Sequence, residues 1–181
     1  MLNWEPEDPD MYEDVQTRYT YAHSNLNKPA EVRLKKMWRS SRDSARTPVQ
    51  WSAEENAGFT TGKPWFYVNQ NYPQINVAQQ EADPDSILNF YRNAIRLRKE
   101  LKVVKEGSYR DHYRLHPSIY AYSREMKGQK LLIVCSFSKK NLHFSMPKGF
   151  DPAAAALVLQ NYAHPAHNFL QPYETRVYLW E

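Results

Sequence analysis

One amphipathic segment, residues 83–105, constrains the fold of this chain more than any other feature. Apolar side chains recur there at helical spacing, and charged side chains fall largely on the opposite side. Asp83 is a good N-cap, Pro84 suits the first helical position, and Gly107 follows the end of the pattern. The sequence therefore predicts a long helix, with one face that must pack against another part of a protein.

After this helix the pattern changes to short segments that are rich in Tyr, Ile and Val. Met126-Lys127-Gly128-Gln129 separates the first two of them and predicts a hairpin. Short strands divided by turns are typical of an antiparallel β-domain. The expected strands cover residues 118–125, 130–137, 142–146, 155–161 and 174–180, and the domain boundary is predicted near residues 105–107.

The first part of the chain predicts two short helices and a long loop. Periodicity indicates helices within residues 12–27 and 30–38. Residues 40–72 carry Pro48, Gly58, Gly62 and Pro64, which leaves no room for a long element. Ordered loops of this length are commonly functional.

Charge and composition narrow the function classes. The net charge is +4, but residues 1–30 carry six acids and two bases, so that the remainder of the chain is +8. The bases of that remainder are scattered and accompany no nucleic-acid motif, which argues against a nucleic-acid partner.

No apolar run approaches the length of a membrane span. Cys135 is the single cysteine and cannot form an internal disulfide, which favours a reducing compartment. The expected location is cytoplasmic.

The residues best suited to a binding site lie in the long loop. Arg42-Asp43-Ser44-Ala45-Arg46-Thr47-Pro48-Val49-Gln50-Trp51 places two arginines, a carboxylate and an indole in one short segment. Guanidinium groups donate paired hydrogen bonds to carboxylates or hydroxyls, and an aromatic face can pack on a sugar ring. This combination is typical of a sugar site.

The same segment resembles the Arg-Asp-x-x-Arg-Thr-Pro-Met-Gln-Trp sequence of α-glucosidases and oligo-1,6-glucosidases in glycoside hydrolase family 13. Further stretches resemble that family in the same order, at residues 56–60, 63–65, 75–77, 95–98 and 172–174. The resemblance implies an α+β fragment. Residues 1–105 would hold the terminal helices and loop of a (β/α)8 barrel, with residues 83–105 as its last helix, and residues 106–181 would form a small antiparallel β-sandwich domain.

The family's catalytic carboxylates have no counterpart in this chain. A retaining glycosidase needs an acid/base and a nucleophile on either side of the bond, and no segment here matches those motifs or the family's Asn-His-Asp triplet. Adjacent acids such as Glu54 and Glu55 are typical of solvated surface. The histidines show no metal-ligand spacing. No catalytic residue, metal or cofactor is therefore assigned.

The resemblance assigns substrate binding to Arg46 first and to Arg42 second, with Asp43 as a partner that orients them. For each arginine the alternative is that it only braces the loop.

Two functions follow from the sequence. The first is the C-terminal portion of a retaining α-glucosidase, which would act on α-glucoside oligosaccharides only together with the missing N-terminal barrel portion, the fragment alone being inactive. The second is a free-standing, non-catalytic β-module that binds glycan or protein. A tight monomer with affinity for maltose or isomaltose would favour the second.

Overall fold

The chain divides into two compact units, Met1–Pro84 and Asp85–Glu181. The structure is a computed structural model, and it describes residues 4–166 and 168–181. The division places the amphipathic helix with the strands, whereas the sequence groups it with residues 1–105. That residues 1–105 and 106–181 are domains of a larger enzyme stays a prediction.

The first unit consists of short helices and ordered loops. Asp14 begins the first helix by accepting a hydrogen bond from the backbone of Thr17, and Asn76 caps the third in the same way through Gln79. Two of the helices lie inside the ranges predicted for them or close to them. The helices are α1 (Val15–Ala22), α2 (Ala30–Ser40) and α3 (Val77–Ala82).

The long loop has no extended helix or strand, as the sequence predicts. Residues 40–72, all of which are described, carry a 3-10 turn at Arg42–Ala45 and a second turn, with non-helical backbone angles, at Glu55–Gly58. An aromatic cluster lies inside this unit. Trp4 packs edge-on against Tyr12 and Phe66, with ring centroids 5.5 and 4.9 Å away. The loop is therefore anchored by a core of its own.

The predicted long helix is two helices, and its start differs from the prediction. Ser86, rather than Asp83, is the N-cap of α4 (Ile87–Glu100), because its hydroxyl accepts a hydrogen bond from the backbone of Asn89 at 3.2 Å. Leu101 then adopts an extended conformation and ends the helix. The following helix, α5 (Lys102–Glu106), turns Val103 into a fully buried position.

The second unit contains an antiparallel sheet in the spatial order β1-β2-β3-β7-β5 and a separate β4-β6 pair. Lys127-Gly128 joins β2 to β3, and Gly128 supplies the positive φ of 81° that this tight turn requires. The sequence missed two strands, one fully exposed and one of two residues. The strands are β1 (Ser108–Asp111), β2 (Ile119–Met126), β3 (Gln129–Ser136), β4 (Leu142–His143), β5 (Ala156–Gln160), β6 (Phe169–Leu170) and β7 (Thr175–Trp180).

Both faces of the sheet are covered at its centre, on β3 and β7. Leu132 and Tyr178 belong to a cluster that also holds Phe144 and Leu170, which lie in or beside the β4-β6 pair. Their sequence neighbours on β3 and β7 point the other way and pack with Val103 of α5. Helices and an antiparallel sheet confirm the α+β class, while the barrel and the β-sandwich stay predictions.

In the part of the chain that the structure describes, every helix is too short or too polar to cross a membrane.

Candidate functional site

The arginine segment begins where α2 ends. Ser41 follows the helix in an extended conformation, and its hydroxyl accepts a hydrogen bond from the backbone N–H of Asp43 at 3.2 Å. The N–H of Arg46 donates to the carbonyl of Asp43 at 2.9 Å and closes the 3-10 turn. This turn fixes the backbone from which all three predicted site residues project.

Asp43 is fully buried and ties the turn to the segment before α1. Its Oδ2 accepts hydrogen bonds from the backbone N–H groups of Glu13 at 2.8 Å and Asp14 at 2.9 Å. Its Oδ1 lies 3.3 Å from Nη1 of Arg46. A buried carboxylate needs such donors, because an unpaired buried charge is strongly destabilising. Asp43 therefore orients the turn, and its predicted role beside a bound substrate stays a prediction.

Arg42 donates from two nitrogens to one carboxylate oxygen. Nε and Nη2 donate to Oδ1 of Asp14 at 3.0 and 2.6 Å. The other oxygen of Asp14 accepts from the backbone N–H and the hydroxyl of Thr17, at 3.2 and 2.7 Å. One buried carboxylate thus caps α1 and holds Arg42, a geometry that suits bracing of the loop.

These contacts shift the ionisation of Asp14. The hydrogen bond from the Thr17 hydroxyl and the bond and charge of Arg42 together lower the pKa of Asp14, against the opposing effect of burial. A carboxyl whose pKa is lower in the folded state stabilises the fold above its unfolded pKa of about 3.9. That stability is lost as the pH falls through the lower, folded-state pKa.

Replacement of Asp14 by asparagine should therefore destabilise the first unit by a constant amount at neutral pH and by a shrinking amount below about pH 4. Urea unfolding of both proteins across this pH range measures the difference. Asp10→Asn is the control, because Asp10 is an exposed acid of the same acidic stretch. A difference for Asp14→Asn that stays constant down to pH 2 would contradict the interpretation.

Arg46 makes a different set of contacts. Both arginine side chains reach solvent, at 65% exposure for Arg42 and 42% for Arg46, so exposure does not separate their roles. Bonding does. Arg46 reaches Asp43 with one nitrogen at 3.3 Å, near the upper limit for a hydrogen bond. No bond of its Nε or Nη2 is observed within the described residues, so these donors can serve a ligand.

A second conformational feature lies farther along the loop. Asn56, Ala57 and Gly58 have consecutive positive φ angles of 53°, 59° and 64°. The carbonyl of Ala57 accepts from the backbone N–H groups of Trp51 and Ser52, at 2.8 and 3.1 Å. Non-glycine residues rarely adopt this conformation, and it is concentrated at functional sites. The hydrophobic periodicity of the sequence does not predict this turn. The turn fixes the backbone of Trp51, whose side chain is about half exposed.

The acids of this unit form no pair suited to glycosidic hydrolysis. Asp10, Glu13, Glu54 and Glu55 are exposed, and Asp14 is occupied by Arg42 and Thr17. Among the described residues, no group of three or more His, Cys, Asp or Glu side chains is placed to hold a metal ion. The unit offers binding groups, and within the described chain we find no reactive pair.

Comparison with known families decides the membership of this chain. Residues 10–107 match the family described as "Alpha amylase, catalytic domain", and this match covers more than half of the chain. The chain belongs to the alpha-amylase family. The match ends at residue 107, beside the predicted domain boundary.

Curated members of the alpha-amylase family resemble the chain over most of its length. It is 41% identical to the probable oligo-1,6-glucosidase 2 of Bacillus subtilis, over 93% of this chain and 31% of that protein. It is 36% identical to the oligo-1,6-glucosidase of Bacillus cereus, over 98% of this chain and 33% of that protein. These relatives are glycoside hydrolases. The chain spans about a third of their length.

Solved structures of the family agree with this placement. The trehalose-6-phosphate hydrolase of Bacillus licheniformis superimposes with a TM-score of 0.90 at 34% identity, over 100% of this chain and 34% of that chain. The trehalulose synthase of Pseudomonas mesoacidophila gives 0.84 at 35% identity, over 98% of this chain and 33% of that chain. The alpha-amylase family is thus supported by fold as well as by sequence.

Proposed function

We propose that this chain is the C-terminal part of a retaining α-glucosidase of the oligo-1,6-glucosidase type. The whole enzyme would hydrolyse α-glucosidic bonds in short oligosaccharides, and we place it in the cytoplasm. The names of the relatives support the reaction class, since oligo-1,6-glucosidases recur among them. They also include a trehalose-6-phosphate hydrolase and a trehalulose synthase, so the proposal extends to α-glucosides as a class.

The contacts of Arg46 carry the proposal for the site. Its guanidinium is held by one long hydrogen bond to Asp43, whereas the guanidinium of Arg42 donates two hydrogen bonds to Asp14. A guanidinium with available donors can bind two adjacent sugar hydroxyls or a carboxylate in a fixed orientation. Arg46 would contact the α-glucoside in the whole enzyme. Arg42 would hold the loop, and its predicted contact with substrate is secondary.

The reactive carboxylates would lie outside this chain. Retention of configuration needs two carboxyl groups about 5–5.5 Å apart, in environments that push their pKa values in opposite directions. The exposed acids near the arginine loop do not provide such a pair. The chain by itself is therefore proposed to be inactive.

The exposed face of α4 supports a missing partner rather than a free-standing module. Ile87, Tyr91 and Ile95 follow one another at intervals of four, so they share a helix face, and they are 83%, 66% and 41% exposed. Soluble monomers rarely leave such a stripe uncovered. In the proposed enzyme the remainder of the barrel would cover it. This observation counts against the alternative of a non-catalytic glycan- or protein-binding β-module.

A chimera tests the role of Arg46. This chain would replace the matching third of the Bacillus subtilis relative, which is 41% identical to it. Arg46→Lys should lower kcat/KM for an α-glucoside by about 100-fold, because lysine cannot donate two parallel hydrogen bonds. The reduction should persist at temperatures where the variant is fully folded.

Two further substitutions serve as controls in the same chimera. Arg39→Lys changes an exposed arginine of α2 and should leave kcat/KM unaltered. Arg42→Lys should lower the unfolding temperature of the chimera, because the partner of Arg42 is Asp14. It should reduce kcat/KM by less than Arg46→Lys does. Full activity of Arg46→Lys in a chimera whose parent is active would reject the proposed contact.

A further inference from the structure

A cavity of about 510 Å³ lies between α1 and α2 in the first unit. Small-molecule sites commonly occupy about 300–1,000 Å³, so the space suits a compact ligand. The wall combines the end of α1, the turn after it and one face of α2. Its lining includes Thr20, Ser24, Asn25, Lys28, Arg33 and Lys36.

The charge of this wall has one sign. Lys28, Arg33 and Lys36 contribute three positive charges, and none of the described lining residues carries a carboxylate. The acid of the neighbouring helix turn, Glu31, is paired with Lys35 at 2.5 Å, and neither of these two residues lines the cavity. Cations that line one cavity without a countercharge in its wall attract an anion into it.

Arg33 is held in place without being neutralised. Its guanidinium lies over the ring of Tyr21, 4.5 Å from the centroid, and its Nη1 is 3.3 Å from the hydroxyl of Ser24. Its Nε is buried and has no hydrogen-bond partner in the described chain. A guanidinium fixed by packing needs little reordering when it binds an oxyanion.

We propose that this cavity binds a small molecule that carries a phosphate group. Three positive charges favour a dianion over a single carboxylate. Thr20, Ser24 and Asn25 add neutral hydrogen-bonding groups beside the cations. The volume exceeds that of one phosphate, so an attached sugar or a similar polar group fits as well. Free phosphate and a phosphate ester share this chemistry.

Titration of the full chain with three compounds tests the proposal. Inorganic phosphate and glucose 6-phosphate should each produce a saturable binding isotherm in low-salt, phosphate-free buffer, and glucose should produce none. Binding should weaken as sodium chloride is added, since the pairing is electrostatic. Tighter binding of glucose 6-phosphate would identify a phosphate ester as the ligand, and equal binding would identify free phosphate. Absence of saturable binding by both anions would overturn the proposal.

Two adjacent lysines of α2 give a matched pair of variants. Lys36→Gln removes a cation from the cavity wall and should weaken phosphate binding about tenfold, as loss of a charged hydrogen bond does. Lys35→Gln makes the same change of net charge on a residue outside the wall and should leave the dissociation constant unchanged. Circular dichroism would verify that both variants fold. Equal weakening by both would show diffuse attraction and overturn the site.

Discussion

Replacement of Glu174 by alanine should destabilise the second unit by about 3–5 kcal/mol, the usual effect of removing one partner from a buried ion pair. Glu174 is fully buried, and Arg176 is 1% exposed. The carboxylate accepts from Nε and Nη2 of Arg176 at 2.7 and 2.8 Å. Its Oε2 also accepts from the backbone of Gln171 at 2.7 Å. Alanine would leave a buried guanidinium without its counterion.

The pair also fastens the connection that precedes β7. Arg176 donates to the carbonyls of Ala166 at 2.6 Å and Phe169 at 2.8 Å, so one side chain holds two points of the segment that contains β6. Loss of the pair should therefore loosen β6. We expect faster amide exchange at Leu170 in the variant than in the parent chain.

A double-mutant cycle separates pairing from side-chain packing. Glu174→Gln, Arg176→Met and the double variant would be unfolded in urea, and their free energies of unfolding compared. The double variant should be destabilised by less than the sum of the two single variants, because no unpaired buried charge remains. Additive effects would mean that the two side chains contribute independently.

Asp43→Ala should destabilise the first unit by about 3–5 kcal/mol, because each hydrogen bond to a charged group contributes about 1.5–3 kcal/mol and the contributions of bonds that share one carboxylate do not add in full. The backbone N–H groups of Glu13 and Asp14 would lose their acceptor, and Arg46 would lose the carboxylate that orients it. In the chimera the same change should also lower activity, since Arg46 would no longer be held.

Tryptophan fluorescence during urea unfolding measures this effect in the first unit. Four of the five tryptophans lie in that unit. Glu55→Ala is the matched control. It removes an exposed carboxylate of the same loop and should change the free energy of unfolding by less than about 0.5 kcal/mol. A similar result for Asp43→Ala would show that the buried carboxylate does not hold the turn.

Local patterns in the sequence predict much of the fold. The hairpin at Gly128, the amphipathic stripe of α4 and the punctuated loop each follow from side-chain chemistry within a short window. Element ends are less predictable, because neighbouring residues offer equivalent caps. Both Asp83 and Ser86 can cap a helix, and only the tertiary structure selects Ser86. Likewise, Leu101 ends α4 so that Val103 can be buried beside the sheet.

Long-range pairing explains the remaining differences. The motif places Arg42 and Arg46 in one segment but cannot show that Asp14, 28 residues before Arg42, occupies that arginine. Arg176 lies in a predicted strand, and nothing local in that strand shows that its side chain is buried, at 1% exposure. Its spacing of two from Glu174 does put both side chains on one face of the chain, so a strand-based search for buried ion pairs could have found it.

Hydrolysis of a chromogenic α-glucoside by the purified 181-residue chain tests the central claim most directly. If the reactive carboxylates lie outside this chain, the folded protein should release no chromophore above the uncatalysed rate. The chimera with the Bacillus subtilis relative should turn over the same substrate under the same conditions. Saturable turnover by the chain alone, abolished when one of its own acids is replaced, would contradict the claim.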